Sequence, residues 1–155
     1  MDKKIVYTYV VADLLHFGHL HYLMNAKSLA GKEGVLIVGV LTDEAAMEKK
    51  PRPCLSFDER MQLIQALKFV DCAVAQKEYS PVENIKTINP DILVESSSHS
   101  KQDLSEVRKV SESVSCRVIV MPYYPNQSST CIKTNIKDNW DNQEVKFQNE
   151  KSDES

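Results

Sequence analysis

The chain has 155 residues, 42% hydrophobic and 26% charged, with a formal net charge of −3, the profile of one globular domain with enough apolar content for a core. The negative balance argues against a general nucleic-acid binder, since phosphate backbones are held by a basic face. No apolar run approaches the roughly 20 residues of a membrane-spanning helix, and the opening MDKK leads directly into a strand-like run rather than a signal-peptide core. The expected setting is the cytoplasm, with neither membrane nor nucleic acid as partner. Cys54, Cys72, Cys116 and Cys131 show no C-x-x-C spacing and are expected as free thiols, Cys72 and Cys116 in core strands.

Residues 5–11 are apolar and β-branched and predict a buried strand. Residues 19–30 predict a helix whose apolar face carries Leu20, Tyr22, Leu23, Ala26 and Leu29. Between them stands Ala12-Asp13-Leu14-Leu15-His16-Phe17-Gly18-His19. A helix start offers unpaired N–H groups and a positive dipole end. Gly18 keeps no side chain between ligand and backbone. His16 and His19 can then donate to phosphoryl oxygens as charge builds up. The bland alternative is one capping and one packed histidine. A shared zinc is disfavoured, because Asp13 is the only nearby carboxylate, so no metal site is expected.

Residues 34–41 predict a second strand, and Thr42 caps a short helix over Asp43–Met47. The loop Glu48-Lys49-Lys50-Pro51-Arg52-Pro53 is rigid and basic. It is either a solvated turn or a clamp for a triphosphate or a phosphorylated acceptor. Ser56 and Glu59 form a capping box for a helix through residue 70, with Phe57, Met61, Ile64 and Leu67 as its core stripe. Arg60, on the first turn, could reach back towards the phosphates. Residues 72–75 read as a third strand. Ser80 is the expected cap of a helix with Pro81 at its first position, ending at Asn89-Pro90.

A fourth strand over residues 91–94 feeds the polar loop ESSSHS at residues 95–100, which puts Ser97, Ser98 and His99 at a strand's carboxyl end. Lys101–Ser113 predicts a helix and residues 116–121 a fifth strand. Then comes Pro122-Tyr123-Tyr124-Pro125-Asn126-Gln127-Ser128-Ser129-Thr130. Hydroxyls at a helix start are ordinary caps, or else a second anion cradle facing the first. From residue 138 the chain is polar, with Trp140 and Phe147 as its sizeable anchors, and residues 148–155 are expected to be disordered. The expected division is a domain over residues 1–137 and a polar tail over 138–155. Strand–helix alternation implies an α/β, Rossmann-like, doubly wound parallel five-stranded sheet with helices on both faces. Ligands of such sheets bind at the carboxyl ends of the strands near the switch point. The H-x-G-H turn, basic loop, serine loop and residues after Met121 all fall at that edge, which implies one shared site.

ADLLHFGH at residues 12–19, LTDE at 41–44, SFDER at 56–60 with FVD at 69–71, and SSTCIK at 128–133 resemble the HxGH nucleotidyltransferase superfamily. Within it, the chain resembles the small cytidylyltransferases of the glycerol-3-phosphate type, from residue 5 to about residue 136. The resemblance implies transfer of CMP from CTP to a phosphorylated alcohol with release of pyrophosphate, Mg²⁺ accompanying CTP, in a homodimer. It implies that His16 and His19 stabilise the transferring phosphate and that Lys49 holds phosphate. It also implies that Val11, Ala12, Gly18, Arg52, Tyr123, Tyr124, Gln127, Ser128, Ser129 and Thr130 surround the nucleotide.

The chain departs from that pattern in three places. Pro51 stands where the second lysine of the basic loop would be, Ser96-Ser97-Ser98 replaces an acidic GDD-like turn, and residues 123–128 replace R-T-x-G-I-S. The expected acceptor is therefore a small phospho- or phosphono-alcohol other than glycerol 3-phosphate, met by Asp13, Ser97, Ser98 and His99. Its oxyanion would attack the α-phosphorus in line without a strong general base. Lys50-Pro51-Arg52-Pro53 also resembles archaeal FAD synthetases, so adenylyl transfer stays open, as does a nucleotide-binding sensor without catalysis.

Overall fold

The structure, a computed structural model, describes residues 2–122, 124–125 and 127–153, with side chains described through Asp141. Five β-branched, apolar runs form β1 (Ile5–Val10), β2 (Val35–Leu41), β3 (Cys72–Gln76), β4 (Ile92–Ser96) and β5 (Arg117–Met121). They pair in parallel in the order β3-β2-β1-β4-β5. Between them lie α1 (Phe17–Ala30), α2 (Asp43–Met47), α3 (Phe57–Gln65), α4 (Val82–Ile88) and α5 (Lys101–Ser113), and α6 (Ser129–Asp153) follows β5. Successive strand residues point to opposite faces, and the core divides accordingly. Val6, Leu36, Val38 and Val94 pack with Leu23, Ala26 and Ile64 on the α1/α3 face. Tyr7, Tyr9, Leu41 and Leu93 pack with Ala45, Ile85 and Val107 on the other. The doubly wound sheet expected from the alternation is present.

The order reverses at β1, and there the sheet is least knitted. β1 runs with β2 for six positions, from Ile5↔Val35 to Val10↔Val40. With β4 it pairs only at Val6↔Ile92 and Tyr7↔Leu93. Past that point side chains take over: the Val94 carbonyl accepts from Thr8 Oγ1 at 3.0 Å and from Tyr22 Oη at 3.1 Å. The crevice expected at a switch point therefore opens between the carboxyl ends of β1 and β4.

Arg60 holds the adjoining edge together. It is fully buried. Its Nη1 donates to the carbonyls of Val11 and Leu41, both at 2.7 Å, beyond the ends of β1 and at the end of β2. Nε donates to Leu55 O at 3.2 Å and Nη2 to Asp43 Oδ1 at 2.6 Å. The Ser56–Glu59 capping box fixes where α3 starts, which puts residue 60 on the face turned to the sheet. The guanidinium is thus spent on backbone carbonyls and Asp43, and the expectation that it reaches phosphate is corrected.

Other boundaries differ from expectation. α1 begins at Phe17, with His16 as its cap, two residues earlier than the apolar pattern placed it. Pro81, not Ser80, is the cap residue of α4, and the Ser80 hydroxyl is buried without a hydrogen-bond partner among the described residues. α4 does end at Asn89, whose φ of 51° is left-handed. Cys72 is exposed at the start of edge strand β3, whereas Cys116 is buried. α6 crosses residues 137–138 unbroken, and its backbone stays helical over 148–153. Polar composition does not prevent helix formation, and no Gly or Pro interrupts 129–153.

Replacing Arg60 with leucine strands three carbonyls and a carboxylate. The expected loss of unfolding free energy is about 3–5 kcal/mol, read by urea titration. A loss below about 1 kcal/mol would show that these groups find other partners.

Candidate functional site

A cleft of about 530 Å³ lies at the carboxyl edge of the sheet and draws its walls from the turn after β1, the basic loop, the loop after β4 and the start of α6. At its base the H-x-G-H turn caps its own helix. His16 Nδ1 accepts from the Gly18 N–H at 3.0 Å, and His19 Nδ1 accepts from the His16 N–H at 3.3 Å. This is a capping box in which both side chains are imidazoles. A ring nitrogen that accepts cannot carry the proton, so in both neutral rings the proton is on Nε2. The ring centroids are 4.0 Å apart, and both residues line the cleft. The bland and functional readings of this pair are thus compatible: the capping nitrogens leave the opposite N–H groups available.

Burial keeps these rings neutral. It lowers the His19 pKa to about 4, with His16 and Lys50 pushing the same way, and it lowers that of His16. Gly18 is buried, and a Cβ there would lie 2.8 Å from His16 Cε1 and 2.9 Å from its Nδ1. Only glycine lets the His16 ring fold back onto the helix start.

Asp13 lines the cleft and ties its walls together. Its carboxylate accepts from the Cys54 and Leu55 N–H groups at 3.0–3.1 Å and from Lys133 Nζ at 2.7 Å. Its carbonyl accepts from Ser129 Oγ. Burial alone would raise its pKa, but Lys133 and the two amides outweigh that and hold it below the usual carboxylate range. The flanking residues Ala12 and Leu14 have φ of 60° and 50°. Such left-handed, non-glycine backbone is held only where the surroundings fix it.

Of the basic loop, Lys50 lines the cleft and Lys49 does not. Lys49 Nζ sits 2.7 Å from both Asp103 carboxylate oxygens and 4.7 Å from the Tyr79 ring centroid. The phosphate role expected of Lys49 is corrected to that extent: of the two neighbouring lysines only Lys50 lines this cleft. Arg52 is also outside the lining, exposed and 3.7 Å from Asp43. Val11, Gly18, Tyr124, Gln127, Ser128, Ser129 and Thr130 do line the cleft, while Ala12 is fully buried beneath it. Tyr123 lies outside the described residues.

In the loop after β4, Ser98 and His99 line the cleft, joined by Ser96; Ser97 is not in the lining, and its N–H donates to Met121 O at 2.9 Å. Lining residues not singled out in the sequence include Tyr9, Tyr22, Tyr79 and, from the SSTCIK motif, Lys133. Also missed was Glu95, 1% exposed beneath His99. The i, i+4 spacing of Glu95 and His99 was the available signal. Among the described residues no group of three or more His, Cys, Asp or Glu side chains is placed to hold a metal ion. Nor is any helix there long and apolar enough to cross a membrane.

A crossover at the centre of an all-parallel sheet, with a self-capped H-x-G-H turn above it, is the architecture of the HxGH nucleotidyltransferases. The model of the cytidylyltransferase-like family matches residues 8–135, and the chain belongs to that family. Among curated relatives it is 34% identical over 137 residues to the bifunctional protein HldE of Campylobacter fetus, covering 87% of this chain and 28% of that protein. It is 36% identical over 139 residues to the HldE protein of Campylobacter jejuni, covering 88% and 28%. The chain therefore spans a little over a quarter of the length of these relatives. Among solved structures, a lipopolysaccharide core biosynthesis protein from Thermoplasma volcanium aligns with a TM-score of 0.67 at 27% identity, over 78% of this chain and 98% of that one. Thermotoga maritima TmcAL bound with alpha-thio ATP shares the fold at a TM-score of 0.64 and 13% identity, over 88% of this chain and 50% of that one.

The neutral histidines fix how stability follows pH. An unfolded histidine titrates near 6.5, above the folded value of about 4 for His19, so on acidification the unfolded chain takes up the proton first. Stability is full above about pH 7, falls through the window from about 6.5 to about 4 and then levels off. At about 1.4 kcal/mol per unit, His19 accounts for at most about 3 kcal/mol of it. Urea unfolding at pH 7 and pH 4.5 should show that slope, flattened in His19→Gln.

Proposed function

We propose that the chain transfers a nucleotidyl group from a nucleoside triphosphate to a small phosphorylated or phosphonylated alcohol and releases pyrophosphate. The observation that carries this reading is the self-capped turn. Two preorganised Nε2–H donors stand at a helix start, on a cleft that also receives Lys50, Lys133 and the hydroxyl-rich start of α6. An acceptor oxygen would attack the α-phosphorus in line, with the charge developing on the non-bridging oxygens met by His16 and His19. Because those rings are neutral, they act as fixed dipoles in a partly enclosed site rather than as proton donors. The residues present do not form a protein cage for Mg²⁺: Asp13 is already occupied by Cys54, Leu55 and Lys133. The ion would come held by the triphosphate, and no step is assigned to it.

The proposed donor is CTP, supported by the SSTCIK motif at residues 128–133. ATP is the second reading, favoured by the proline-rich loop at residues 50–53. Base choice rests on hydrogen bonds to the base edge, where a mismatch leaves buried polar groups unpaired. The similarity to a Thermoplasma volcanium protein of lipopolysaccharide core biosynthesis supports including sugar phosphates among the acceptors. A homodimer in the cytoplasm is the proposed working state, and sedimentation of the purified chain would decide the first part.

Calorimetry with CTP and with ATP, each with Mg²⁺, decides the donor; tighter binding of ATP would replace CTP. Pyrophosphate release against glycerol 3-phosphate, phosphoethanolamine, 2-hydroxyethylphosphonate and sugar 1-phosphates tests the reaction itself. His16→Ala and His19→Ala should each lower kcat by about 10²–10³, and near wild-type turnover in His19→Ala would overturn the assignment.

Gly18→Ala should also lower kcat by an order of magnitude or more while the far-ultraviolet dichroism is kept, since the new methyl displaces the His16 ring. Unchanged turnover in that variant would mean that the His16 position is not critical.

A further inference from the structure

On the wall facing the H-x-G-H turn, His99 is wired in the opposite sense to His16 and His19. Its Nδ1 is 2.6 Å from Glu95 Oε2. Glu95 is 1% exposed, and Tyr9 Oη donates to both of its oxygens at 2.9 Å. No lysine or arginine pairs with Glu95 among the described ion pairs; its partner is His99. A carboxylate oxygen accepts, and the 2.6 Å contact with Glu95 Oε2 assigns the ring proton of His99 to Nδ1. The nitrogen left for the cleft is Nε2, bearing a lone pair. The ring is held in place by Tyr9, stacked at 5.5 Å, and Tyr79, at 5.9 Å between centroids. The groups facing it are therefore Tyr9 from β1, Tyr79 from the segment after β3, Glu95 from β4 and Asp103 from α5, the last paired with Lys49.

We propose that His99 is a general base for the acceptor, with Glu95 and Tyr9 as positioning residues, and that the substrate form taken is a monoprotonated phosphate or phosphonate monoester. The proposal rests on the nucleotidyltransferase reading above and adds where the acceptor's proton goes. As the acceptor oxygen forms its bond to the α-phosphorus, the bond from that phosphorus to the bridging oxygen breaks and pyrophosphate leaves. The acceptor's P–O–H proton passes to His99 Nε2. The resulting imidazolium lies against the buried Glu95 carboxylate, which is the arrangement that stabilises it. Ser96 and Ser98, whose hydroxyls are 2.8 Å apart and which line the same wall, can hold the acceptor's remaining oxygens. One cleft thus presents bare N–H donors on one wall and a bare lone pair on the other, the division that separates acid from base roles between like groups.

The first test needs no acceptor. Long-range ¹H–¹⁵N correlation of histidine-labelled protein at pH 8 should show His16 and His19 protonated on Nε2 and His99 on Nδ1. A His99 proton on Nε2 would overturn the proposal. The second uses whichever of the four acceptor classes above releases pyrophosphate. His99→Gly should lower kcat by about 10²–10⁴ with the CTP or ATP dissociation constant unchanged, and added imidazole should restore part of it. Glu95→Gln, which keeps an acceptor for Nδ1–H but removes the charge, should lower kcat more than it raises the acceptor KM. If His99→Gly turns over normally, or imidazole fails to restore a folded, nucleotide-binding variant, the base role is wrong. If no acceptor is turned over by the wild type, the transferase reading fails while the tautomer measurement still judges His99.

Discussion

The guanidinium of Arg60 is the interaction on which the site's floor depends. Two strands that carry the cleft bring the carbonyls of Val11, just beyond β1, and Leu41, at the end of β2, to the same place, and a single Nη1 donates to both. Nε and Nη2 take Leu55 and Asp43, so the strand ends, the basic loop and α2 are joined through one planar group. A lysine could not do this, because its ammonium is a point charge without the fork. Burial of such a charge is costly unless it is paired and hydrogen-bonded, and here four of its five N–H donors have partners on four segments. Asp13 repeats the device one layer higher, joining the turn after β1 to the basic loop and to α6.

Upon that floor the chemistry is set by which atom of each imidazole the protein occupies. Backbone amides take Nδ1 of His16 and His19, whereas a carboxylate takes Nδ1 of His99. The same side chain therefore offers opposite polarity across a single cleft. Desolvation reinforces the first pair's neutrality, which keeps two donors present without adding two cations to a site that already holds Lys50 and Lys133.

The parallel five-stranded sheet, the helices on both of its faces and the gathering of four loops at one edge were legible in the sequence, because β-branched runs and capping residues report local structure directly. The Ser56–Glu59 box and the Thr42 cap lie where the sequence put them. What stayed hidden depends on long-range pairing. Arg60 looked like a group aimed at a ligand, since sequence shows a charge near a motif but not the carbonyls, as far off as Val11, that consume it; the ties of Asp13 to Cys54, Leu55 and Lys133 were equally invisible. Lys49 and Lys50 could not be told apart, because a loop without periodicity does not say which of two neighbours faces inward. Glu95 passed unnoticed because Tyr9, the partner that marks its carboxylate as held, comes from another strand and meets it only at the crossover, and the nearby His99 alone did not single it out.

The short pairing of β1 with β4 has a consequence for motion. The middle of a parallel sheet is normally its most protected part, yet here the two central strands share pairs only at Val6↔Ile92 and Tyr7↔Leu93. Separating their carboxyl ends breaks side-chain bonds from Thr8, Tyr9 and Tyr22 but no further backbone ladder. Amides along that seam are expected to exchange before those of the β1–β2 and β4–β5 ladders, which run for six and five positions.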